Sequence, residues 1–293
     1  AKRGSLDFDL PEPEVILDIA GGIKDILRAE RLFAHKIIEE FMLSANEAVA
    51  QFLAEKNVPT MYRIHEAPDP ERLKDFQRLL RVLSIGDKKD SRSAAALRSL
   101  LKRTEGTPHE FLVNRVLLRS MKQAKYSAIN KGHFGLASSC YLHFTSPIRR
   151  YPDLICHRVL KSALTHANPA YTMEELERMA VHLSERERLA MEAEREIEDR
   201  IRVLFMKDRI GAIYEGIISH ITSFGFFVEL FDVFVEGLVL LSDLCDDYYR
   251  FEEERFHLIG RRSRKIYRIG DKIRVRVMMA NVEKNQLHFV PVL

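Results

Sequence analysis

Apolar and polar positions change rhythm twice along this chain. In "EVILDIAGGIKDIL", alternating apolar residues flank a Gly-Gly dipeptide, which predicts two short strands around a turn that needs positive φ. The spacing then becomes helical through "AERLFAHKIIEEFMLSANEAVAQFLAEK", residues 29 to 56, and "TMYRIHEAP" returns to a strand. Asp69-Pro70 has the chemistry of a helix start. The charged run "GDKKDSRS" (86 to 93) predicts a loop, followed by helices near 92 to 103 and 108 to 122. Residues 172 to 209 carry one long helical pattern laced with opposite charges. After Gly211 the runs "AIYEGIISHITSFGFFVEL", "VFVEGLVLL" and "DKIRVRVMMANVEKNQLHFVPV" are short and β-rich. Their number and size predict a small closed barrel of the oligonucleotide-binding (OB) kind.

The expectation is therefore an α+β chain: a largely helical part with a few strands over 1–208, then a five-stranded barrel over 209–293. Hydrophobic residues make up 46% of the 293, ample for a core. A net charge of +3, from 46 basic and 43 acidic residues, means that any preference for a polyanion comes from local clustering. Three cysteines, Cys140, Cys156 and Cys245, make no disulfide framework and fit a reducing compartment, so cytoplasm is expected. No apolar run is long enough to cross a bilayer. The N-terminus lacks a signal peptide's apolar core and an initiator methionine, which marks a fragment as the expectation.

Three stretches, and a lone glutamate, carry candidate chemistry. In "TSFGFFVEL", alternation turns Phe226, Val228 and Leu230 inward and Phe227 with Glu229 outward. A bulge at Gly225 would bring Phe224 onto the same outer face as Phe227, a pair of rings on which bases could stack; coverage by the neighbouring domain explains the rings equally well. The run "GRRSRKIYRIGDKIRVR" gathers Arg261, Arg262, Arg264, Lys265 and Arg268 with little compensating acid, which favours RNA. In "YLHFTSPIRRYPDLICHR", Pro147 and Pro152 stiffen a turn that places Arg149 and Arg150 at a helix N-terminus. Two cations oppose the dipole there unless an anion joins them, and a guanidinium fork suits phosphate. Ion pairing to Asp or Glu is the competing reading. Tyr151 reads as a stacking ring or a core residue. Asp153 and His157, four apart on one helix face, read as a structural pair, and Cys140, His143, Cys156 and His157 as ordinary residues rather than a zinc site. Glu194 falls within an apolar stripe of Ala190, Ile197 and Ile201, which reads as a partly buried glutamate paired with an arginine such as Arg149 or Arg195.

These residues also carry a resemblance. The glycines and aromatics of "GxxYEGxIxxITSFGFFVEL…VEGLVLLSDL" resemble the S1-like RNA-binding domain over about residues 210 to 291. That implies RNA contacts at Phe224 and Phe227, whereas Leu240 stands where the family often has histidine. "HFGLASSCYLHFTSPIRRYPDLICHRVL" is similar to the signature of the RNB catalytic domain of the ribonuclease II and ribonuclease R family, and "RGSLDFDLPEPEV" with "AHKIIEEFMLSANEAVA" looks most like the ribonuclease R branch. The resemblance implies processive 3′-to-5′ hydrolysis of single-stranded RNA to nucleoside 5′-monophosphates with Mg²⁺. It places Arg149 at the phosphate of the cleavage site, Glu194 near the catalytic centre, and Phe8 at the ring that stacks on terminal bases. Arg150, Tyr151, Arg261 and Arg262 are further candidates for RNA contact. The family's metal-binding aspartates lie upstream of the matched region, and Asp7 and Asp9 do not replace them. The expectation is thus the C-terminal part of an exoribonuclease, inactive without the missing N-terminal part, with no metal ligand in this chain. A non-catalytic RNA-binding module, or a scaffold joining proteins through the long helix, is the alternative.

Overall fold

The computed structural model describes residues 5–6, 13–17, 19, 22–29, 32–83, 85, 93–107, 109–233, 235–252 and 255–292. Strands β1 (Pro13–Leu17) and β2 (Ile23–Arg28) form the expected antiparallel hairpin. Helix α1 (Phe33–Glu55) leads to β3 (Tyr62–Ile64), which pairs with β4 (Lys125–Ser127). Between these strands lie α2 (Pro70–Val82), α3 (Ala94–Thr104) and α4 (Glu110–Ser120). The Asp69 carboxylate accepts the N–H groups of Glu71 and Arg72, and Ser93 Oγ accepts that of Ala96. Each thus satisfies donors that a helix start leaves open. The three helices close on Phe76, Leu80, Leu97, Leu101, Val113 and Leu117.

Helix α5 (Tyr151–Leu164) packs with α1, β3 and β4 around Leu53, Ile64, Leu142, Ile155 and Cys156. Helix α6 (Met173–Lys207) has 35 residues, about 52 Å of rise. Thr172 and Glu175 close its start as a reciprocal capping box. Leu176 and Ala180 near its start join the α1–α5 core, and Val203, Phe205 and Met206 at its end join the core of the C-terminal barrel. Ile26 of β2 reaches that second core too, so the barrel is not filled by its own strands alone.

The barrel is closed in the order β11 (Lys272–Asn281), β12 (Gln286–Pro291), β7 (Glu236–Leu240), β6 (Gly225–Leu230), β5 (Ile213–Thr222). Phe226, Val228 and Leu230 are buried in it, as the alternation requires. A separate sheet of β8 (Tyr249–Glu252), β9 (His257–Gly260) and β10 (Ile266–Arg268) is inserted between β7 and β11. The expected bulge at Gly225 is not there: Gly225 pairs regularly with Thr222 and Leu240, and the register shift falls on β5 between Ile218 and His220. Gly225 is needed for another reason, since a Cβ there would collide with Val239 O.

Helix α4 grips the barrel through charge. Glu229 and Glu236 face each other directly across β6 and β7, an unfavourable opposition of like charges. Arg115 resolves it by donating to both, at 2.6 and 2.9 Å. One turn on, Arg119 Nη1 donates to His220 Nδ1 at 3.2 Å. Arg115→Met should therefore lower stability by about 1–2 kcal/mol, a figure discounted for partial exposure. In thermal unfolding that is a Tm loss of roughly 2–8 °C. Adding Glu236→Gln should restore part of it; an Arg115→Met protein as stable as the parent would show that the grip contributes nothing.

Candidate functional site

The Arg-Arg turn is held by one carboxylate. Asp153, fully buried in the first turn of α5, accepts from Ser146 N–H at 2.7 Å and from Arg150 Nη2 at 2.8 Å. Backbone bonds from Arg149 N and Arg150 N to Ser146 O complete the corner. Arg150 is thereby committed to structure, the ion-pair reading of the sequence. Asp153 does not pair with His157, contrary to expectation. His157 instead bonds Phe144 O at 2.9 Å and stacks on the Phe144 ring at 4.0 Å, which turns it away. Among the described residues, Asp153 Oδ1 and Arg150 Nε have no partner.

Arg149 is different. Its side chain is exposed, and among the described residues no carboxylate or carbonyl takes its guanidinium. It borders a cavity of about 330 Å³ together with Ser146, Arg150, Tyr141, Leu136 and, from α1, Asn46. Glu39 and Glu40 also line this cavity, so it carries both signs of charge.

Beneath the corner lies a polar layer that the sequence reading missed. Asn46 Nδ2 donates to Tyr141 OH at 2.9 Å and Asn46 Oδ1 accepts Phe144 N–H at 3.0 Å, tying α1 to the 141–144 segment. Tyr126 OH meets His143 Nδ1 at 2.9 Å, and the Arg63 guanidinium lies 4.6 Å from the Tyr126 ring centre. Glu187 of α6 neutralises Arg63 at 2.5 Å. Burial foremost, then Arg150, Arg63, His133 and Arg149, lower the His143 pKa to about 2, and burial with His65 and Arg63 lowers that of His133 to about 3. Both imidazoles are neutral beneath a cluster of guanidinium groups, and Arg149 is the member of that cluster without a counter-charge among the described residues. An arginine between the core residues Tyr62 and Ile64 was the one sequence signal of this layer.

The other expected site residues fall elsewhere. Glu194 is exposed, on the α6 face that carries Glu187 but seven residues on, about 10 Å along the axis. No contact joins it to Arg149. Ala190 and Ile197 are exposed too, so the expected buried stripe is absent from this stretch, where α6 runs between its two packed ends. Tyr151 borders a second cavity, about 410 Å³, with Tyr171, Met179 and Leu183, and does not line that of Arg149. Phe224 stands exposed in the β5–β6 turn, whereas Phe227 is half-buried and stacked on His220 at 6.2 Å, on the face that α4 grips. Arg261 and Arg262 are exposed in the β9–β10 turn. Phe8, with Asp7 and Asp9, lies outside the described residues. Cys140 and Cys156 are buried free thiols, and burial foremost pushes Cys156 up to about 12. Among the described residues no group of three or more His, Cys, Asp or Glu side chains could hold a metal ion, so they do not fit the Mg²⁺ that the family resemblance implies.

Comparison with known proteins gives an RNB domain match over residues 1–166 and an S1 RNA binding domain match over 207–289. Ribonuclease R of Aquifex aeolicus is 46% identical over 291 residues, 98% of this chain and 41% of the relative. The solved apo form of Mycoplasma genitalium RNase R superposes with a TM-score of 0.91 at 29% identity, over 99% of this chain and 47% of that one. The same enzyme in complex with ribose methylated single-stranded RNA gives the same TM-score, identity and coverage. The chain thus spans about two fifths of the length of the curated relatives it matches.

The two half-buried histidines set a pH dependence. In the unfolded chain His143 and His133 take up protons near 6.5, in the folded one only near 2 and 3. Their contribution to stability is complete above pH 6.5 and is lost as pH falls below it, by up to ~1.4 kcal/mol per unit for each. His65 and His220, also lowered, act in the same direction. Urea unfolding between pH 7.5 and 5 should show this decline, and His143→Phe should flatten it by up to ~1.4 kcal/mol per unit. An unchanged slope in the variant would mean that His143 is not desolvated in the folded protein.

Proposed function

Since the chain belongs to the RNB family, with an S1 RNA-binding domain following, we propose that it forms the C-terminal share of a processive 3′-to-5′ exoribonuclease hydrolysing single-stranded RNA to nucleoside 5′-monophosphates. The observation that carries this reading is the exposed guanidinium of Arg149, without an ion-pair partner among the described residues, on a stiff corner beside a cavity. Its neighbours Arg150 and Arg63 are each neutralised by a carboxylate, which leaves Arg149 as the group available to a phosphodiester. A charge held in place before the strand arrives costs no reorganisation when negative charge grows on the phosphate.

The remaining assignments follow from placement or, for Phe8, from the family resemblance alone. Phe224 offers its ring to RNA at a hairpin tip, and Phe227 lies at the seam with α4. Tyr151 flanks the corner at its own cavity, and Arg150, already held by Asp153, is assigned to RNA only through its place beside Arg149. Arg261 and Arg262 add phosphate contacts from the barrel's inserted sheet, and Phe8 stacks on terminal bases. Glu194, on the Glu187 face of α6, is assigned to the catalytic centre with Arg149. The Mg²⁺ that supplies metal-assisted hydrolysis in this family is assigned to carboxylates elsewhere in the longer protein, and the chain by itself is inactive. One surface supports that assembly. Phe33, Ile37, Ile38 and Phe41 are exposed along α1, with Phe41 at 68%, a contiguous apolar face of the kind that another polypeptide covers. The rest of the longer protein is its proposed partner. Among the described residues no helix is long and apolar enough to cross a membrane, and the free thiols accord with the cytoplasm.

With the rest of the protein joined to it, the chain should degrade RNA from the 3′ end, and Arg149→Ala should lower kcat by about 10²–10³-fold while changing RNA affinity much less. Equal losses in kcat and affinity would instead favour a module that holds RNA without cutting it. Phe41→Asp should leave the unfolding temperature of the isolated chain nearly unchanged and weaken its association with the separately expressed remainder; unimpaired association would remove α1 from that interface.

A further inference from the structure

The inserted sheet carries a surface that the barrel does not need. Asp247 organises it: its carboxylate accepts the N–H groups of Tyr248 (2.7 Å), Arg262 (2.8 Å) and Ser263 (2.6 Å) and the hydroxyl of Ser263 (2.8 Å). Partial burial raises the Asp247 pKa, but these hydrogen bonds outweigh it and bring it to about 2, so the anchor is ionised at neutral pH. Gly260 lets the turn close on that carboxylate, since a Cβ there would press on Asp247 Oδ2 and Ser263 Oγ. Arg264 completes the turn with φ of +59°, in the left-handed region. Such a turn is stiff, and what it displays is held in place.

It displays three arginines, Arg261, Arg262 and Arg264, and a ring, while Arg268 stands at the far end of β10. Lys265 is engaged by Asp246, and Arg250 and Arg255 by Glu252. Arg261, Arg262, Arg264 and Arg268 are exposed, and no carboxylate pairs with them among the described residues. Tyr248, 75% exposed, lies beside them, because its carbonyl accepts Arg261 N–H at 2.9 Å. The sheet meets the barrel through Tyr267, whose ring packs on the inward-facing Phe226 at 5.1 Å, whereas Phe227 stacks on His220, the histidine that Arg119 of α4 contacts. The turn and the Phe227 face are therefore different surfaces of the same domain.

We propose that Tyr248 and the arginines of the β9–β10 turn form a second seat for single-stranded RNA, one base stacking on the tyrosine while the guanidinium groups hold the flanking phosphates. The chemistry is that of sequence-tolerant strand binding, fixed cations along a backbone with an aromatic platform beside them. An acidic protein segment would use the cations but leave the ring without a role. This seat rests on the RNA-handling reading above and gives the strand a hold outside the Arg149 cavity.

The chain has no tryptophan, so Tyr248→Trp installs a single reporter. Titration with oligouridylate or oligoadenylate, with binding followed in parallel by anisotropy of a labelled RNA, should quench its emission at the concentrations where binding saturates. Tyr248→Ala should weaken binding roughly five- to hundredfold, and Tyr248→Phe should retain it. Arg261→Gln with Arg262→Gln should shallow the salt slope by about 1.4 in log–log terms, two contacts on a single strand. Emission that stays unchanged at Tyr248→Trp while Phe224→Trp is quenched overturns the second seat and leaves the RNA reading standing. Quenching by polyglutamate in place of RNA also overturns it. Absence of any RNA binding in the parent chain removes both.

Discussion

Everything at the candidate centre depends on a buried carboxylate. Asp153 has no solvent exposure, and an ionised group in such a place is tolerable only where donors surround it. Ser146 N–H, from before the Pro147 turn, and Arg150, at the start of α5, both donate to its Oδ2. That requirement folds the turn back onto α5 and uses up one arginine of the adjacent pair. The other, one residue earlier, is turned out to the cavity by the same geometry. The chain therefore reaches a positioned cation, unpaired among the described residues, by spending its neighbour on structure, which a single arginine on a free loop could not do.

The same logic recurs at larger separation. Arg63 is matched by Glu187, and Arg115 by two glutamates that would otherwise repel each other. These pairs are partly buried, and burying ions returns little net stability compared with packing apolar groups. What they supply is register. Arg115 fits only one placement of α4 on β6 and β7, and Glu187 fits one rotation of α6 against β3. Since α6 ends inside the barrel core, its rotation at Glu187 is carried along a continuous helix to Val203 and Met206. The corner, the polar layer and the barrel are thus set relative to one another by a few charges and one long helix.

How much of this the sequence disclosed follows from the range of each interaction. Periodicity and capping chemistry located α2 at Asp69-Pro70, α5 at Pro152 and α6 at Thr172, because those signals lie within a few residues. Inward Phe226, Val228 and Leu230 followed from alternation. Ion pairing of the arginines was one of the two readings of the turn, but the partner, Asp153 three residues on, was read as belonging to His157 instead. His157 was misjudged because its partners, the Phe144 carbonyl and ring, come from a segment that returns only after the turn. The Tyr126–His143, Arg63–Glu187 and Arg115–Glu229 contacts join distant segments, and no local pattern encodes them. Glu194 shows the opposite failure: a stripe at helical spacing was real, but α6 there has no described neighbour against which to bury it.

The two phenylalanines of the barrel show why placement, more than residue type, decides a binding role. Both belong to one short motif and both read as stacking rings. Phe227 shares its face with Glu229, and that face is where Arg115, Arg119 and His220 meet. A base that stacked on Phe227 would compete with or displace His220, so any contact there is coupled to how α4 sits on the barrel. Phe224, in the turn before Gly225, is under no such restriction. The barrel therefore offers one ring that is free and one that is tied to the neighbouring helices. A strand engaging the second also bears on the contact that holds α4 on the barrel.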